Sequence, residues 1–374
     1  MASIAKRPDG RWRARHRDSD DKEHSQHFGR KVDAQRWIDE TTASIVTGQY
    51  VHPNAGKTTF KDYAESWRTA QVHRPSSAAH VETMLRRHAY PAFGNKPLSA
   101  IRPSEVQAWV TQLTVGAGKQ KKLAPATVQV IHGIVAAVFK SAVRDRKIAS
   151  SPCEGIKLPK AEPRHVVPLA TEAVHALAAA MPERYAALVV LAAGTGLRQG
   201  EAFGLTVDRV DFFRRTLKVD RQLVLLAREK PRHGPPKTTA SYRTIPLPQV
   251  VVEALSEHLR LFPASSDGLM FTDDTGGPLR RPEFSRQVWR PAVKKAGQVG
   301  AVFHDLRHYY ASLLIQHGES VKVVQARLGH ATAAETLDTY SHLWPDSEDQ
   351  TRAAIDSVLG AVADSLRTSG ASEG

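Results

Sequence analysis

FHDLRHYYASLL, residues 303–314, is the stretch of sequence that decides how the second half of the 374-residue chain folds. Its apolar side chains recur at spacings of three and four residues, which predicts an amphipathic helix that ends near Gly318. They are Leu306, Tyr310, Leu313 and Leu314. We therefore expect a helix with one side in a core and another side available for chemistry.

That other side carries His304, Arg307 and His308, three and four residues apart. The two histidines have the spacing of zinc ligands on a helix, but the metalloprotease motif requires Glu after the first histidine, and Asp305 stands there. We therefore expect no metal site, but a face of basic and proton-exchanging groups.

Two further helices are predicted downstream. Residues 320–328 form one that stops at Gly329 and leaves His330 just beyond its end. The next carries Thr336, Leu337 and Tyr340. On its own, Tyr340 is an ordinary amphipathic side chain with a buried ring and a hydrated hydroxyl.

Upstream, the segment GTGLRQGE, residues 194–201, predicts the end of one helix and the opening of another. Arg198 then lies near a helix N-terminus, where free amides and a guanidinium together suit a phosphate. Glu201, three residues on, can orient Arg198. The alternative is a structural Arg–Glu pair without a ligand.

Apolar alternation predicts strands at residues 217–226 and 243–247, joined by a long loop. Lys230 and Lys237 both lie in that loop. Taken alone, either is an exposed surface lysine.

The chain is basic, with 52 Lys and Arg against 38 Asp and Glu and a formal net charge of +14. Residues 1–55 carry +2, residues 56–160 carry +11 and residues 161–374 carry +1. So large an excess in the middle segment favours a surface that neutralises backbone phosphates, which makes DNA the expected partner.

Other classes of protein are disfavoured. The one cysteine, Cys153, can form no internal disulfide and no Cys-based zinc cluster. The start of the chain lacks a secretory apolar region, and the longest apolar run, residues 186–193, is far below the roughly 20 residues that span a bilayer. We expect a cytoplasmic protein without a membrane span.

The first segment predicts a small α+β module. Arginines at every second position share one face of an extended strand: Arg11, Arg13, Arg15 and Arg17. A strand near residues 25–28 and a helix through Ala34, Trp37, Ile38 and Ile45, ending near Gly48, complete it. The arginine face predicts contact with DNA, and its alternative is an ordinary solvated surface.

The middle segment predicts a bundle of about four helices. One apolar stripe holds Phe60, Tyr63, Ala64 and Trp67, and another holds Val128, Ile131, Val135, Val138, Phe139 and Ala142. Pro103 suits the first turn of a helix through Val106, Trp109 and Val110. The candidate DNA contacts are Lys119, Lys121 and Lys122 in a loop and Arg144, Arg146 and Lys147 at a helix end, where favourable interaction with the helix dipole is the alternative explanation.

Taken in order, the segments TGLRQGE, PPKTTASYRTIPL, FHDLRHYYASLL, LGH and TLDTYSHL resemble the tyrosine recombinase family, in particular its phage-type and mobile-element integrases. The resemblance implies a multidomain, mainly α protein with α+β parts. Its parts are an arm-type DNA-binding domain at residues 1–55, with a three-stranded sheet and a helix, and a helical core-type DNA-binding bundle at residues 56–160. A mainly helical catalytic domain with a small antiparallel sheet follows at residues 161–350, and then a C-terminal helix and tail at residues 351–374.

The resemblance also implies roles for individual residues. Tyr340 is the nucleophile, Arg198 and Arg307 hold the scissile phosphate, and His304 and His330 assist. Lys237 is the general acid, and Lys230, which stands earlier in the loop, is the alternative. Double-stranded attachment sites, a homotetramer on DNA, a directionality factor and a host DNA-bending protein are the implied partners. No cofactor, metal or membrane is implied.

The residue types fit this chemistry without the family name. Attack of a phenol on a phosphodiester builds negative charge on the non-bridging oxygens, which two arginines and histidine donors stabilise. The phenol has an ordinary pKa of about 10, so His304 is a reasonable acceptor for its proton, and the departing 5′-oxygen needs a proton from a group such as Lys237. A covalent 3′-phosphotyrosine then conserves the bond for rejoining.

Two alternatives share the same residues: a type IB topoisomerase-like nicking and closing enzyme, and a non-catalytic DNA-binding regulator. The tail is also open to two interpretations. Its apolar ridge, Ala354, Ile355, Val358, Leu359, Val362 and Leu366, either docks on a neighbouring protomer or packs in cis.

Overall fold

The structure is a computed structural model that describes residues 2–17, 23–46, 50–52, 54–116, 121–162, 165–225, 229–344, 352–353 and 355–359. The chain divides into two compact units, residues 1–162 and residues 163–374. The finer boundaries expected within these units stay predictions. The loop residue Lys119 and the tail positions Ala354, Val362 and Leu366 lie outside the described residues, as does Gly48.

Unit 1 opens with an antiparallel sheet of three strands in the order β1 (Ser3–Lys6), β2 (Trp12–Arg17) and β3 (Glu23–Phe28), covered by helix α1 (Lys31–Val46). Because side chains alternate along β2, Ala14 is buried against Ala34 and Ile38 of α1, while the arginines lie on the opposite face. The strand and helix predicted here are confirmed. We call Arg11, Arg13, Arg15 and Arg17 the arginine face.

A helical bundle follows in the same unit: α2 (Phe60–Ala70), α3 (Pro75–Met84), α4 (Tyr90–Phe93), α5 (Pro103–Val115) and α6 (Pro125–Arg144). A π-helical turn, Leu85–Ala89, joins α3 to α4, so the two read as one long helix and the expected count of about four holds. Every residue of the predicted α6 stripe is buried in the core of this bundle. Pro103 occupies the first turn of α5, as predicted.

Helix α6 is the one helix among the described residues whose length and apolar composition would let it cross a membrane. Its apolar stripe, however, packs against Phe60, Phe93 and Trp109 in the bundle core. The core packing accounts for its apolar composition.

Unit 2 is mainly helical. Its helices are α7 (Thr171–Ala180), α8 (Glu183–Thr195), α9 (Gln199–Phe203), α10 (Gln249–Leu261), α11 (Arg281–Phe284), α12 (Arg290–Lys295), α13 (Asp305–Gln316), α14 (Val321–Leu328) and α15 (Ala333–Tyr340). A π-helical turn, Ser285–Trp289, joins α11 to α12. Short 3₁₀ turns lie at Val207–Arg209, Thr239–Ser241 and Ser341–Leu343 in this unit, and at Ala55–Lys57 and Leu98–Ala100 in unit 1.

The strands of unit 2 form two small antiparallel sheets, one of β4 (Val210–Asp211), β5 (Thr216–Val219) and β8 (Arg243–Pro246), the other of β6 (Gln222–Val224) and β7 (Arg232–Gly234). The run predicted as one strand at residues 217–226 is therefore two strands in different sheets. The chain changes sheets at Asp220 and Arg221, where Asp220 accepts from the Nε atoms of both Arg209 and Arg221. These ion pairs lie between β5 and β6, at the point where the two strands separate.

Two hydrophobic cores position the functional side chains of unit 2. The larger surrounds α8 and includes Leu188, Phe203 and Leu306. The smaller joins α13, α14 and α15 through Tyr310, Ala311, Ile315, Val324, Leu328 and Tyr340. The predicted helix on residues 303–314 thus lies between the two cores.

Beyond α15, residues 352–353 and 355–359 are helical. Ile355, Val358 and Leu359 of the predicted apolar ridge are 55%, 66% and 59% exposed. These three side chains are therefore mostly exposed, and both interpretations of the ridge stay predictions.

Candidate active site

Arg198 is positioned by the junction between α8 and α9. Helix α8 ends on Gly196 in the left-handed conformation, with φ of 64°, and Arg198 caps the start of α9. Glu201 accepts hydrogen bonds from the backbone N of Arg198 at 2.9 Å and from its Nη1 at 3.3 Å. The predicted contact between Arg198 and Glu201 is present.

Glu201 has a second partner that sequence reasoning missed. Nη2 of Arg243, the first residue of β8, donates to Oε2 of Glu201 at 2.8 Å, and both side chains are almost fully buried. Burial opposes ionisation of Glu201, but the hydrogen bonds from Arg243 and Arg198 outweigh it, so the pKa of this carboxyl lies below its usual value. The carboxylate holds two guanidiniums in place.

Arg307 is 2% exposed and uses backbone carbonyls as partners. Its Nη1 donates to the carbonyl oxygen of Gly196 at 2.7 Å and its Nη2 to that of Leu328 at 2.6 Å. Nη2 of Arg198 donates to the carbonyl oxygen of Gly329 at 3.2 Å. The ends of α8 and α14, where the helix dipoles are negative, therefore hold both arginines. We call Arg198, Glu201, Arg243 and Arg307 the arginine cluster.

The cations of the cluster are close enough to influence one another. Burial lowers the pKa of Arg307, and the positive charges of Arg198 and Arg243 lower it further. Such a concentration of buried positive charge favours an anion, because a bound phosphate would offset this repulsion.

Tyr340 ends α15 beside this cluster and is 1% exposed. Burial raises the pKa of its phenol to about 12, although Arg307 and Arg198 act in the opposite direction. The His330 ring lies parallel to the tyrosine ring, with centroids 6.4 Å apart. The charges of both arginines predicted to act with Tyr340 therefore act on its phenol.

The hydrogen-bond partner of that hydroxyl is His308, whose Nδ1 lies 2.8 Å from Oη of Tyr340. Burial lowers the pKa of His308, which leaves its imidazole neutral near pH 7 and able to accept a proton. Sequence reasoning had placed His304 in this role. The sequence does carry a signal for His308 as a site residue, because it lies one residue after Arg307 and four residues after His304 on the same helix.

His330 follows Gly329, which is left-handed with φ of 65°, as the sequence predicted. Its Nδ1 lies 2.9 Å from the Thr336 hydroxyl and its Nε2 lies 3.8 Å from Glu335. Burial lowers its pKa to about 4, Arg307 acts in the same direction, and Glu335 opposes. The ring is neutral at physiological pH.

Three predicted residues from separate elements line one cavity of about 450 Å³: Arg198, Lys237 and His304. The His304 ring lies at the cavity mouth, 4.8 Å from the His308 ring. Although it is exposed there, the surrounding protein desolvates it and, with His308 and Arg307, lowers its pKa to about 4. Lys237 is exposed on the segment between β7 and β8, whereas Lys230 is not among the cavity residues.

The remaining candidates lie in unit 1. Arg13 and Arg15 share Glu23 at 3.4 and 3.7 Å, Arg11 and Arg17 are exposed, and Lys121 and Lys122 are exposed before α6. Arg144 ends α6, and Arg146 and Lys147 follow it. Within the part of the chain that the structure describes, no group of three His, Cys, Asp or Glu side chains suits a metal ion.

The chain is similar to known phage integrases. Residues 165–346 match the model of the phage integrase family, and residues 59–114 match the model of the phage integrase N-terminal SAM-like domain. The chain is 28% identical over 345 residues to the prophage phiRv2 integrase of Mycobacterium tuberculosis, and the match covers 89% of each protein.

Two solved structures show the same fold. The Tn1549 transposon integrase, in complex with a circular intermediate DNA, has a TM-score of 0.68 and 21% identity, over 80% of this chain and 99% of that one. The lambda integrase tetramer, bound to a Holliday junction, has a TM-score of 0.57 and 16% identity, over 89% of this chain and 96% of that one.

Proposed function

The chain belongs to the tyrosine recombinase family and is a site-specific DNA recombinase, and from that premise we propose that it acts through a covalent 3′-phosphotyrosine on Tyr340 to integrate or excise a mobile element. The observation that carries the proposal is the convergence of the Tyr340 hydroxyl with Arg198, Arg307 and His330, which come from four separate stretches of unit 2.

In this proposal, Arg198 and Arg307 bind the non-bridging oxygens of the scissile phosphate. Negative charge grows on those oxygens as Oη of Tyr340 attacks phosphorus, and guanidiniums that are already fixed need no reorganisation to stabilise it. Glu201 and Arg243 act as positioning residues, because they hold Arg198 without contacting the phosphate. His304 and His330 donate hydrogen bonds to the same phosphate.

The observed contacts support the following proton transfers. The Oη–P bond forms and the P–O5′ bond breaks. The phenol proton passes to Nδ1 of His308, its hydrogen-bond partner, and Lys237 on the cavity wall gives a proton to the departing 5′-oxygen. Rejoining to a different 5′-hydroxyl reverses these steps and needs no external energy source.

Access to the phenol has to change during the reaction. Tyr340 and Arg307 are 1% and 2% exposed, so no phosphate reaches them in this arrangement. We infer that DNA binding displaces the end of α15 and exposes both groups. The free protein then holds its nucleophile in a protected form.

We propose double-stranded attachment sites as the substrate and a homotetramer on DNA as the assembly, by analogy with the lambda integrase tetramer on its junction. The arginine face and the basic residues flanking α6 are the proposed DNA contacts of unit 1. A directionality factor and a host DNA-bending protein are the proposed accessory partners, and the cytoplasm is the proposed place of action.

A nicked duplex tests the proposal. The full-length protein is used to select a binding sequence from a random duplex library, and that sequence is nicked so that the cleaved end diffuses away. We expect a covalent protein–DNA adduct in the unsubstituted protein and none in Tyr340→Phe. Tyr309→Phe is the matched control, because Tyr309 is also buried and its hydroxyl contacts Thr171 instead.

Exchange between two differently labelled duplexes separates the remaining possibilities. Adduct and exchange together support a recombinase. Adduct with supercoil relaxation but no exchange would indicate a topoisomerase-like enzyme, and DNA binding without any adduct would indicate a regulator and overturn the proposal.

A further inference from the structure

A fourth basic side chain, Arg281, lies on the wall of the cavity that contains Arg198, Lys237 and His304. It is the first residue of α11, an element that contributes no other group to the proposed chemistry. Among the described residues that line this cavity are three permanent cations and no carboxylate. A concave surface with that charge attracts anions more strongly than Arg198 and Lys237 alone would.

The charge of Arg281 differs from that of the arginine cluster in having no protein partner. In the described residues, its guanidinium makes no hydrogen bond and no ion pair, whereas Arg198 and Arg243 share Glu201. The surrounding protein desolvates Arg281 and lowers its pKa, although part of the side chain faces the open cavity. A partly desolvated cation without a partner is unfavourable until an anion binds it.

Gly200 marks the position of the Arg281 guanidinium. A Cβ atom at Gly200 would lie 2.4 Å from Nη2 of Arg281 and 3.2 Å from the carbonyl oxygen of Leu223. The Arg281 guanidinium therefore lies over the second residue of α9, beside β6. The guanidinium of Arg198 instead contacts the hydroxyl of Ser241 and the carbonyl of Gly329.

Because Arg198 and Arg281 have different neighbours in unit 2, we expect them to bind different phosphates of the DNA strand. A DNA strand presents one phosphate for about every 3.4 Å of helix axis, so a strand lying in the cavity brings a second phosphate close to the first. The arginine cluster already surrounds the first of them. Arg281 lies on the same cavity wall but beside β6, so it is positioned to bind the second phosphate.

We propose that Arg281 binds a backbone phosphate adjacent to the scissile phosphate on the strand being cleaved. This inference rests on the proposed function, because it takes the cavity to hold the DNA strand that Tyr340 attacks. Arg281 acts by fixing the register of the strand, and it brings the scissile phosphorus to Tyr340 without contacting it.

A phosphate-by-phosphate scan tests this assignment. Duplexes of the library-selected sequence each carry one neutral methylphosphonate, at successive positions along both strands of that sequence. Binding is measured by fluorescence anisotropy for the unsubstituted protein and for Arg281→Gln. We expect Arg281→Gln to reduce the slope of log affinity against log salt by about 0.9, the value for one lost phosphate contact.

The decisive result is non-additivity at one position. At the phosphate that Arg281 contacts, the methylphosphonate weakens binding of the unsubstituted protein and leaves Arg281→Gln unchanged. Arg286→Gln is the matched control, since Arg286 is exposed on the π-helical turn after α11 and lies outside the cavity lining. It should retain the sensitivity of the unsubstituted protein at that position.

If the losses of binding free energy caused by Arg281→Gln and by the methylphosphonate are additive at every position scanned, the proposed role of Arg281 is wrong. Circular dichroism of Arg281→Gln and Arg286→Gln shows that both variants are folded. Because binding is read without cleavage, a protein that binds but forms no adduct would refute the proposed function, while the scan still decides the role of Arg281.

Discussion

Arginines gather in two regions of this protein, and the two regions hold them in opposite ways. In the arginine cluster, Arg307 is 2% exposed and each guanidinium is held by a carboxylate or by helix-terminal carbonyls. In the arginine face of β2, the side chains of Arg13 and Arg15 are 36% and 38% exposed and share one glutamate. The cluster is fixed before any ligand arrives, whereas the face stays adaptable.

The difference follows from solvation. A buried cation needs partners in the folded protein, so its geometry is set by folding. An exposed cation keeps its water, and alternation along a strand is enough to align it. The first arrangement suits one phosphate held for chemistry, and the second suits several backbone phosphates bound for affinity. The following experiments test this contrast.

Removal of the Glu201 carboxylate, which Arg198 and Arg243 share, should have the largest effect on the free energy of unfolding. Glu201→Gln leaves the buried Arg243 and the partly exposed Arg198 without their counterion, and we expect a loss of about 3–5 kcal/mol in the free energy of unfolding, measured with urea. The control is Glu257→Gln, whose partner Arg260 is exposed, so its loss in the free energy of unfolding should be far smaller. Equal losses would contradict the contrast.

Acidification should destabilise unit 2 through its buried histidines. The pKa of His330 is near 4 in the folded protein and about 6.5 in the unfolded chain, so the unfolded state binds more protons between these values. Stability is therefore full above pH 6.5 and falls as the pH is lowered towards 4, with a loss from His330 of about 3 kcal/mol.

Urea unfolding at pH 7 and pH 4.5 measures that loss. His330→Gln should remove the His330 share of the dependence and leave the share of His304, whose pKa is also near 4, while His317→Gln, at an exposed position after α13, should leave the whole dependence unchanged. A dependence as large in His330→Gln as in the unsubstituted protein would show that His330 does not contribute.

A smaller effect is expected at the helix ends that hold Arg307. In Gly196→Ala the new methyl would lie 2.4 Å from Cδ1 of Tyr310, on a residue whose φ is 64°. Overpacking and strain together should cost about 1–3 kcal/mol in thermal unfolding. Gly318→Ala has a φ of 80° but open space around it, so it isolates the backbone contribution. A cost for Gly318→Ala as large as that for Gly196→Ala would show that Tyr310 packing is not involved.

The smallest stability change is expected on the arginine face. Arg13→Gln should alter the free energy of unfolding by no more than about 0.5 kcal/mol, because its charge is solvated. In DNA-binding titrations it should reduce the salt slope by about 0.9. Arg30→Gln, an exposed arginine of the β3–α1 turn paired with Asp33, should change neither quantity. An unchanged salt slope in Arg13→Gln would remove this face from the DNA interface.

Much of the fold was predictable because its signals are local. The spacing of Val128, Ile131 and Val135 indicated the buried side of α6, and Gly196 and Gly329 marked helix ends that only a residue free of Cβ strain closes easily. The run at residues 217–226 was interpreted as one strand, because nothing local distinguishes a continuous strand from two short strands that leave for different sheets.

The candidate site was predictable as a set of residues and not as a set of contacts. The order of Arg198, Lys237, His304, Arg307, His330 and Tyr340 is visible in the chain. The hydrogen bond between His308 and Tyr340 spans 32 residues, and that from Arg243 to Glu201 spans 42. Contacts over such separations depend on how α8, α13, α14 and α15 pack.

By itself, then, the sequence determined which helix faces are apolar, which glycines end helices, and which residue types are available for attack on a phosphate, because side-chain periodicity and backbone sterics act over a few residues. Only the tertiary structure decided that His308 contacts the Tyr340 hydroxyl, that one carboxylate binds two arginines, and that Arg281 lines the same cavity as Arg198. Burial and charge pairing are properties of surfaces that meet in space, and no local pattern records them.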